Sequence, residues 1–119
     1  MVPDKRLTGQ EGEDRAAIVL KKEGYRIIAT NFRSPFGEID IIAEEDGCLV
    51  FVEVKRRKGR TFGTSFEAID ARKKRHIIRS AQVYLKTNRS LGRRVRFDVV
   101  GIDGDEVRLI RHAFGEEKG

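Results

Sequence analysis

The chain has 119 residues, 39% hydrophobic and 37% charged, with 25 basic against 19 acidic side chains and a net charge of +6. That length suits one domain, taken as 1–119 with a core from about 9 to 112, able to fold without disulfides or a structural metal. The single cysteine, Cys48, excludes an internal disulfide and a cysteine-rich zinc site. No run approaches the ~20 apolar residues of a membrane span, and Met1 to Leu20 is too charged to read as a secretory leader, so a soluble, cytoplasmic protein is expected.

A helix is expected over about Gln10–Glu23, with Ala16, Ala17 and Leu20 as its apolar stripe and Gly24 as its stop. Tyr25–Phe32, Glu38–Glu45 and Cys48–Arg56 read as strands, and Asp46-Gly47 between the last two is a two-residue hairpin signal. Arg57–Thr64 reads as a basic, glycine-containing loop, and Ser65 as the cap of a second helix reaching about Thr87. Phe66, Ile69, Ile77, Ala81 and Tyr84 form that helix's stripe, interrupted by Lys73. Arg94–Asp103 and Glu106–His112, joined around Gly104, close the chain as strands. The order α-β-β-β-α-β-β predicts one α/β domain with helices packed on a central mixed sheet.

Charge is unevenly placed. Ten basic residues and only two acidic ones lie between Lys55 and Arg79, a distribution that suits a polyanionic partner. The strand LVFVEVK puts Leu49, Phe51, Glu53 and Lys55 on one side and Val50, Val52 and Val54 on the other. In its hairpin partner, Ile39, Ile41 and Ala43 share one side, and Glu38, Asp40 and Ile42 the other. Pairing around Asp46-Gly47 makes Asp40 and Glu53 neighbours at the end of apolar strands. Two carboxylates there repel each other and resist desolvation, whereas Mg²⁺, with Mn²⁺ as substitute, satisfies both. Lys55 adds a cation able to hold a water or offset charge on a phosphate oxygen. The plainer alternative is a salt bridge at the sheet rim, with Lys55 pairing Asp40 or Glu53. Glu13 begins the inward stripe of the first helix, so it is a further candidate for the site; first-turn stabilisation by the helix dipole is its bland reading. Lys73 is a site candidate or a snorkelling lysine. Arg56, Arg57, Arg60, Lys74 and Arg75 are candidates for nucleic-acid contacts, with Lys73 among them.

Asp40 followed by Glu53-Val54-Lys55 across a hairpin resembles the PD-(D/E)XK nuclease superfamily, with Ile39 where that motif has proline. The wider set Gly12-Glu13-Asp14, Gly24-Tyr25, Asn31-Phe32-Arg33, Gly37-Glu38-Ile39-Asp40, Phe51 to Lys55, Phe62-Gly63, Lys73 and Arg96-Phe97-Asp98 is similar to the bacterial YraN-like family. That resemblance spans about Gly9 to Asp103. It implies a restriction-endonuclease-like fold related to Holliday-junction resolvases. It also implies metal-binding carboxylates at Asp40 and Glu53, with the Val54 carbonyl as a further ligand, a catalytic lysine at Lys55 and an accessory carboxylate at Glu13. The expected activity is Mg²⁺-dependent hydrolysis of phosphodiester bonds in structured nucleic acid, DNA rather than RNA, with a homodimer by analogy. The alternative is a non-catalytic nucleic-acid-binding module on the same fold.

Overall fold

The computed structural model describes residues 5–57 and 69–115, with side chains over 10–56 and 69–115. Seven elements follow in chain order: α1 (Lys5–Lys22), β1 (Arg26–Ser34), β2 (Gly37–Glu45), β3 (Cys48–Arg57), α2 (Ala71–Thr87), β4 (Val95–Asp103) and β5 (Glu106–Phe114). The five strands form one sheet in sequence order, antiparallel except where β3 and β4 run parallel with α2 as their crossover. The α-β-β-β-α-β-β order with a mixed sheet is thus present. No helix among the described residues is long and apolar enough to cross a membrane.

Local chemistry explains most boundaries. Gly24 takes φ +97°, and Tyr25 N–H returns to Leu20 C=O at 2.9 Å, which ends α1 where a left-handed residue is needed. Asp46 and Gly47 both adopt positive φ (53° and 77°), the twist a two-residue hairpin requires. Helix α2 starts later than Ser65, which lies outside the described residues with Phe66. Asp70 is extended, with ψ 171°, and its carboxylate accepts the Lys73 N–H at 2.8 Å. Aspartate competes for backbone N–H groups better as a cap than it serves inside a helix, so Asp70 sets the start. Ile69 is buried, but ahead of the helix.

Each face of the sheet carries its own core. Ala16 and Leu20 of α1 pack on Ile41, Ala43, Val50, Val52, Val100 and Ile102. On the other face Ile77, Ala81 and Tyr84 of α2 pack on Ile39, Ile42, Leu49, Phe51 and Phe97. The alternation expected for β3 holds, but Ile39 departs from its expected side and joins the α2 core rather than that of Ile41 and Ala43. The reason lies in the pairing. β2 is registered with β3 from Glu45↔Cys48 to Ile41↔Val52 and no further. Beyond Ile41 the β1–β2 hairpin peels away from β3 and closes over α2, where the Ser34 and Ser80 hydroxyls meet at 2.8 Å.

The opposite end of β2 is locked by a buried polar cluster. Asp98, fully buried, accepts from Tyr25 Oη (2.5 Å), Arg96 Nε (2.9 Å) and Nη2 (2.8 Å), and the His112 N–H (2.9 Å). Glu45 takes Arg96 at 2.6 Å and Arg111 through both oxygens, which lowers its pKa to about 2. Burial and the Asp98 carboxylate raise the Tyr25 phenol well above its usual range, so it remains a donor. Every member has a partner, as a buried network must.

Candidate metal centre

The fork between β2 and β3 is where the acidic residues gather. Once β2 leaves β3, the Val54 N–H loses its strand partner. The Asp40 carboxylate supplies one, accepting that N–H through Oδ2 at 2.8 Å. Asp40 is therefore anchored by backbone, yet burial is the larger influence and raises its pKa. The Val54 N–H and the Lys73 ammonium pull it down, and Glu38 pushes it up again.

Glu53 follows Leu49 and Phe51 on the α2 side of β3 and is only 7% exposed. Its pKa is raised to about 7, by burial first and by Asp40 second, against the pull of Lys73 and Lys55. The Lys73 ammonium stands 3.7 Å from Glu53 Oε1, so the lysine that interrupts the α2 stripe points at the site. The ion pair at this place is Glu53–Lys73, rather than the Lys55 pairing posed as the plain alternative. Lys55 is half-buried, two residues beyond Glu53, and its charge favours ionised Glu53.

From the other face α1 contributes Glu13, one turn ahead of the core residue Ala16. Its pKa too is raised, by burial and by Asp40, Glu38 and Asp14, while a hydrogen bond from Asn31 works the other way. One oxygen each from Glu13, Glu38 and Asp40 lie within 4.8 Å of one another. Glu38 is not among the site residues expected from sequence, although it shares a strand side with Asp40 two residues on. That i, i+2 spacing is the available signal. The expected pair Asp40 and Glu53 is thus close enough to interact, but the tighter carboxylate grouping runs through Glu38 and Glu13. Asp40 belongs to both.

The donor set is all carboxylate, without histidine or cysteine, which suits a hard cation such as Mg²⁺ or Mn²⁺ rather than zinc. Glu13, Asp40 and Glu53 are all held above their ordinary pKa, so a divalent charge among them relieves a strain already present. A cation of the protein's own, Arg33, approaches Glu38 with its Nε at 3.8 Å.

The basic residues divide. Arg56 is exposed, and its aliphatic stem runs over Gly12 of α1, where an added Cβ would meet Cδ at 2.8 Å. Arg57 ends β3 with its side chain outside the described atoms, and Arg60 lies outside the described residues. Lys74 and Arg75 sit on α2 away from the carboxylates. With Ile78, Arg79, Gln82 and Phe114 they line a groove of about 750 Å³ between α2 and the end of β5. Lys74 Nζ lies 5.9 Å from the Phe114 ring centroid. The expected nucleic-acid residues therefore occupy more than one face: Lys73 belongs to the carboxylate site, Arg56 lies toward α1, and Lys74 and Arg75 line the groove.

A family model described as "Uncharacterised protein family UPF0102" matches residues 12–102. A UPF0102 protein of Symbiobacterium thermophilum is 50% identical over 114 residues, covering 92% of this chain and 97% of that protein. One of Persephonella marina is 46% identical over 108 residues, covering 91% and 93%. One of Moorella thermoacetica is 45% identical over 120 residues, covering 96% and 100%.

Proposed function

The chain belongs to the uncharacterised protein family UPF0102, of the PD-(D/E)XK-like nuclease type, and from that premise and the fork geometry we propose that it is a metal-dependent nuclease acting on structured nucleic acid, DNA rather than RNA. The observation that carries this reading is the convergence of Asp40, Glu53, Glu38 and Glu13 with Lys73 and Lys55 where β2 and β3 part. Like charges gathered around a buried Glu53, with Glu13, Glu38 and Asp40 half-buried, cost stability without a ligand, and a fold with no use for them would do better with apolar side chains.

Asp40 and Glu53 would hold the cation, with Glu13 and Glu38 beside Asp40. A bound Mg²⁺ or Mn²⁺ supplies Lewis-acid polarisation of a phosphate oxygen and a more acidic water. Asp40 is oriented by the Val54 N–H, which fixes one carboxylate oxygen and with it the attitude of the group. Lys73 keeps Glu53 partly charged before the cation arrives. Lys55 holds the attacking water or offsets charge on the phosphate oxygen. Arg56, Arg57, Arg60, Lys74 and Arg75 would track the backbone of the substrate, giving binding that weakens steeply with salt. The same reading expects a cytoplasmic protein and allows a homodimer on a two-fold branched substrate.

A second reading, a binding module without turnover, draws on the Glu53–Lys73 pair, because a carboxylate already neutralised has less need of a metal. One experiment divides the two. Labelled branched, single-stranded and duplex DNA is incubated with Mg²⁺ or Mn²⁺ and either wild type or Asp40→Asn. The amide oxygen of Asn can still accept from Val54, so the fork survives while the charge is lost. The nuclease reading expects metal-dependent cleavage that Asp40→Asn abolishes. Binding without cleavage, unchanged or tighter in Asp40→Asn, would leave only the binding module.

A further inference from the structure

Four large apolar side chains among the described residues are exposed, Ile18, Ile28, Phe36 and Leu91, and of these Phe36 is the aromatic one. It is 41% exposed at the tip of the β1–β2 hairpin, in the turn Ser34-Pro35-Phe36-Gly37. Its backbone is nonetheless well fixed. The Phe36 N–H donates to Ser34 Oγ at 3.0 Å, and that hydroxyl meets Ser80 Oγ of α2, a fully buried group, at 2.8 Å. Gly37 has φ +141°, and the position a Cβ would take there lies 3.8 Å from His76 Cβ, so the turn rests closely on the helix. A tip that merely linked two strands would need neither an exposed aromatic nor this bracing.

The surroundings of the ring are cationic. The Arg79 guanidinium carbon lies 5.7 Å from its centroid. Arg79 itself and Arg75 are exposed on α2, and Arg33 is exposed on the same hairpin. Four residues along β2 from Phe36 is Asp40, a path of at most ~13 Å at about 3.3 Å per residue. At about 3.4 Å per base step, that is within about four steps of a phosphate held at the fork.

We propose that Phe36 is a wedge that contacts a base of the substrate, entering where bases are unpaired or weakly stacked, while Arg79 and its neighbours hold the flanking phosphates. This inference rests on the nuclease reading and narrows its substrate class to branched or frayed nucleic acid over continuous duplex. Inserting an apolar side chain at a base step costs least where stacking is already broken. A rigid turn leaves little ordering cost at binding.

The chain contains no tryptophan, so Phe36→Trp introduces a single indole, at the tip, that can be excited apart from the two tyrosines. Wild type, Phe36→Trp and Phe36→Ala are titrated, in EDTA, with a three-way DNA junction carrying 2-aminopurine at the branch and with a continuous duplex of the same sequence. The wedge expects a rise in branch 2-aminopurine fluorescence with wild type. In the Phe36→Trp variant it expects the indole emission to be quenched by the junction but not by the duplex. It expects Phe36→Ala to lose the rise and about tenfold of junction affinity, in line with the stacking of one base, with duplex affinity changed by less than about twofold. Equal weakening on both DNAs, or on neither, overturns it. Wild type and Phe36→Ala that bind the junction alike in EDTA, and cleave it alike once Mg²⁺ is supplied in excess, remove the wedge and keep the nuclease. Wild type that binds neither DNA removes both.

Discussion

Removing the charge of Glu53 should make the metal-free protein more stable at alkaline pH. Its pKa is raised from 4.5 to about 7 by burial and by Asp40. An acid whose folded pKa lies above its unfolded one binds more protons when folded, so stability falls as pH climbs between the two values. At about 1.36 kcal/mol per pH unit, that interval amounts to about 3 kcal/mol, fully lost above pH 7 and intact below 4.5. Glu53→Gln mimics the protonated acid, keeping volume and hydrogen-bonding capacity. It should therefore stabilise by about 3 kcal/mol at about pH 8, or roughly 10 °C in melting temperature for a domain of this size. At about pH 5 the gain should be below about 1 kcal/mol. The assay is a thermal melt in EDTA at both pH values. Adding Mn²⁺ at about a hundredfold over its Kd should return about 2.7 kcal/mol to wild type and less to the variant, which keeps Asp40, Glu38 and Glu13. A variant destabilised by the same amount at both pH values would show that the Glu53–Lys73 pair is net favourable, and would refute the reasoning.

Glu38→Gln should weaken Mn²⁺ binding at least about tenfold by isothermal titration if Glu38 belongs to the carboxylate grouping around Asp40; unchanged affinity would assign Glu38 to Arg33 alone. Asp98→Ala leaves the Tyr25 hydroxyl and the His112 N–H without their acceptor and Arg96 with Glu45 as its remaining carboxylate, and should cost about 3–5 kcal/mol in urea unfolding. Glu45→Gln should destabilise at neutral pH. Because the folded pKa of Glu45 is lowered from 4.5 to about 2, that difference should shrink below pH 4.5 and vanish near pH 2 in acid melts. Asp70→Ala should remove the N-cap of α2 at a cost of about 1 kcal/mol, measurable by urea unfolding.

The elements that repeat a simple pattern are readable from sequence. Alternation in LVFVEVK puts Glu53 on the α2 side, the Asp46-Gly47 turn sets the β2–β3 register, and Lys73 stands out in an otherwise apolar stripe. Each signal is local, carried by a few residues whose chemistry allows one conformation. The departures share the opposite property. Ile39 changes sides because β2 parts from β3 at Asp40, and a fork is a relation between strands that neither strand records alone. Ser65 and Asp70 are both good caps by residue type, and what marks the start of α2 is the Asp70 carboxylate accepting the Lys73 N–H. Glu38 stands two residues from Asp40, but its closeness to Glu13 depends on how α1 crosses the sheet. The Tyr25–Asp98–Arg96 cluster joins residues up to 73 positions apart, and no period in the sequence brings them together.

The hydrogen bond from Val54 to Asp40 bears on how relatives of this protein should be read. On the nuclease reading an aspartate at the fork does two jobs, and one of them needs no metal and no substrate, because it replaces a missing strand neighbour. Losing it exposes an amide in the middle of a sheet, so a relative that had given up chemistry would still be under pressure to keep it, or to put asparagine there. Glu53 has no such second employment. Its ionised form works against the fold in the absence of a cation, so selection for stability alone would discard it first. If the nuclease reading holds, the diagnostic letter for activity among such sequences is the glutamate of E-V-K, and the aspartate by itself says only that the sheet still opens at the same place.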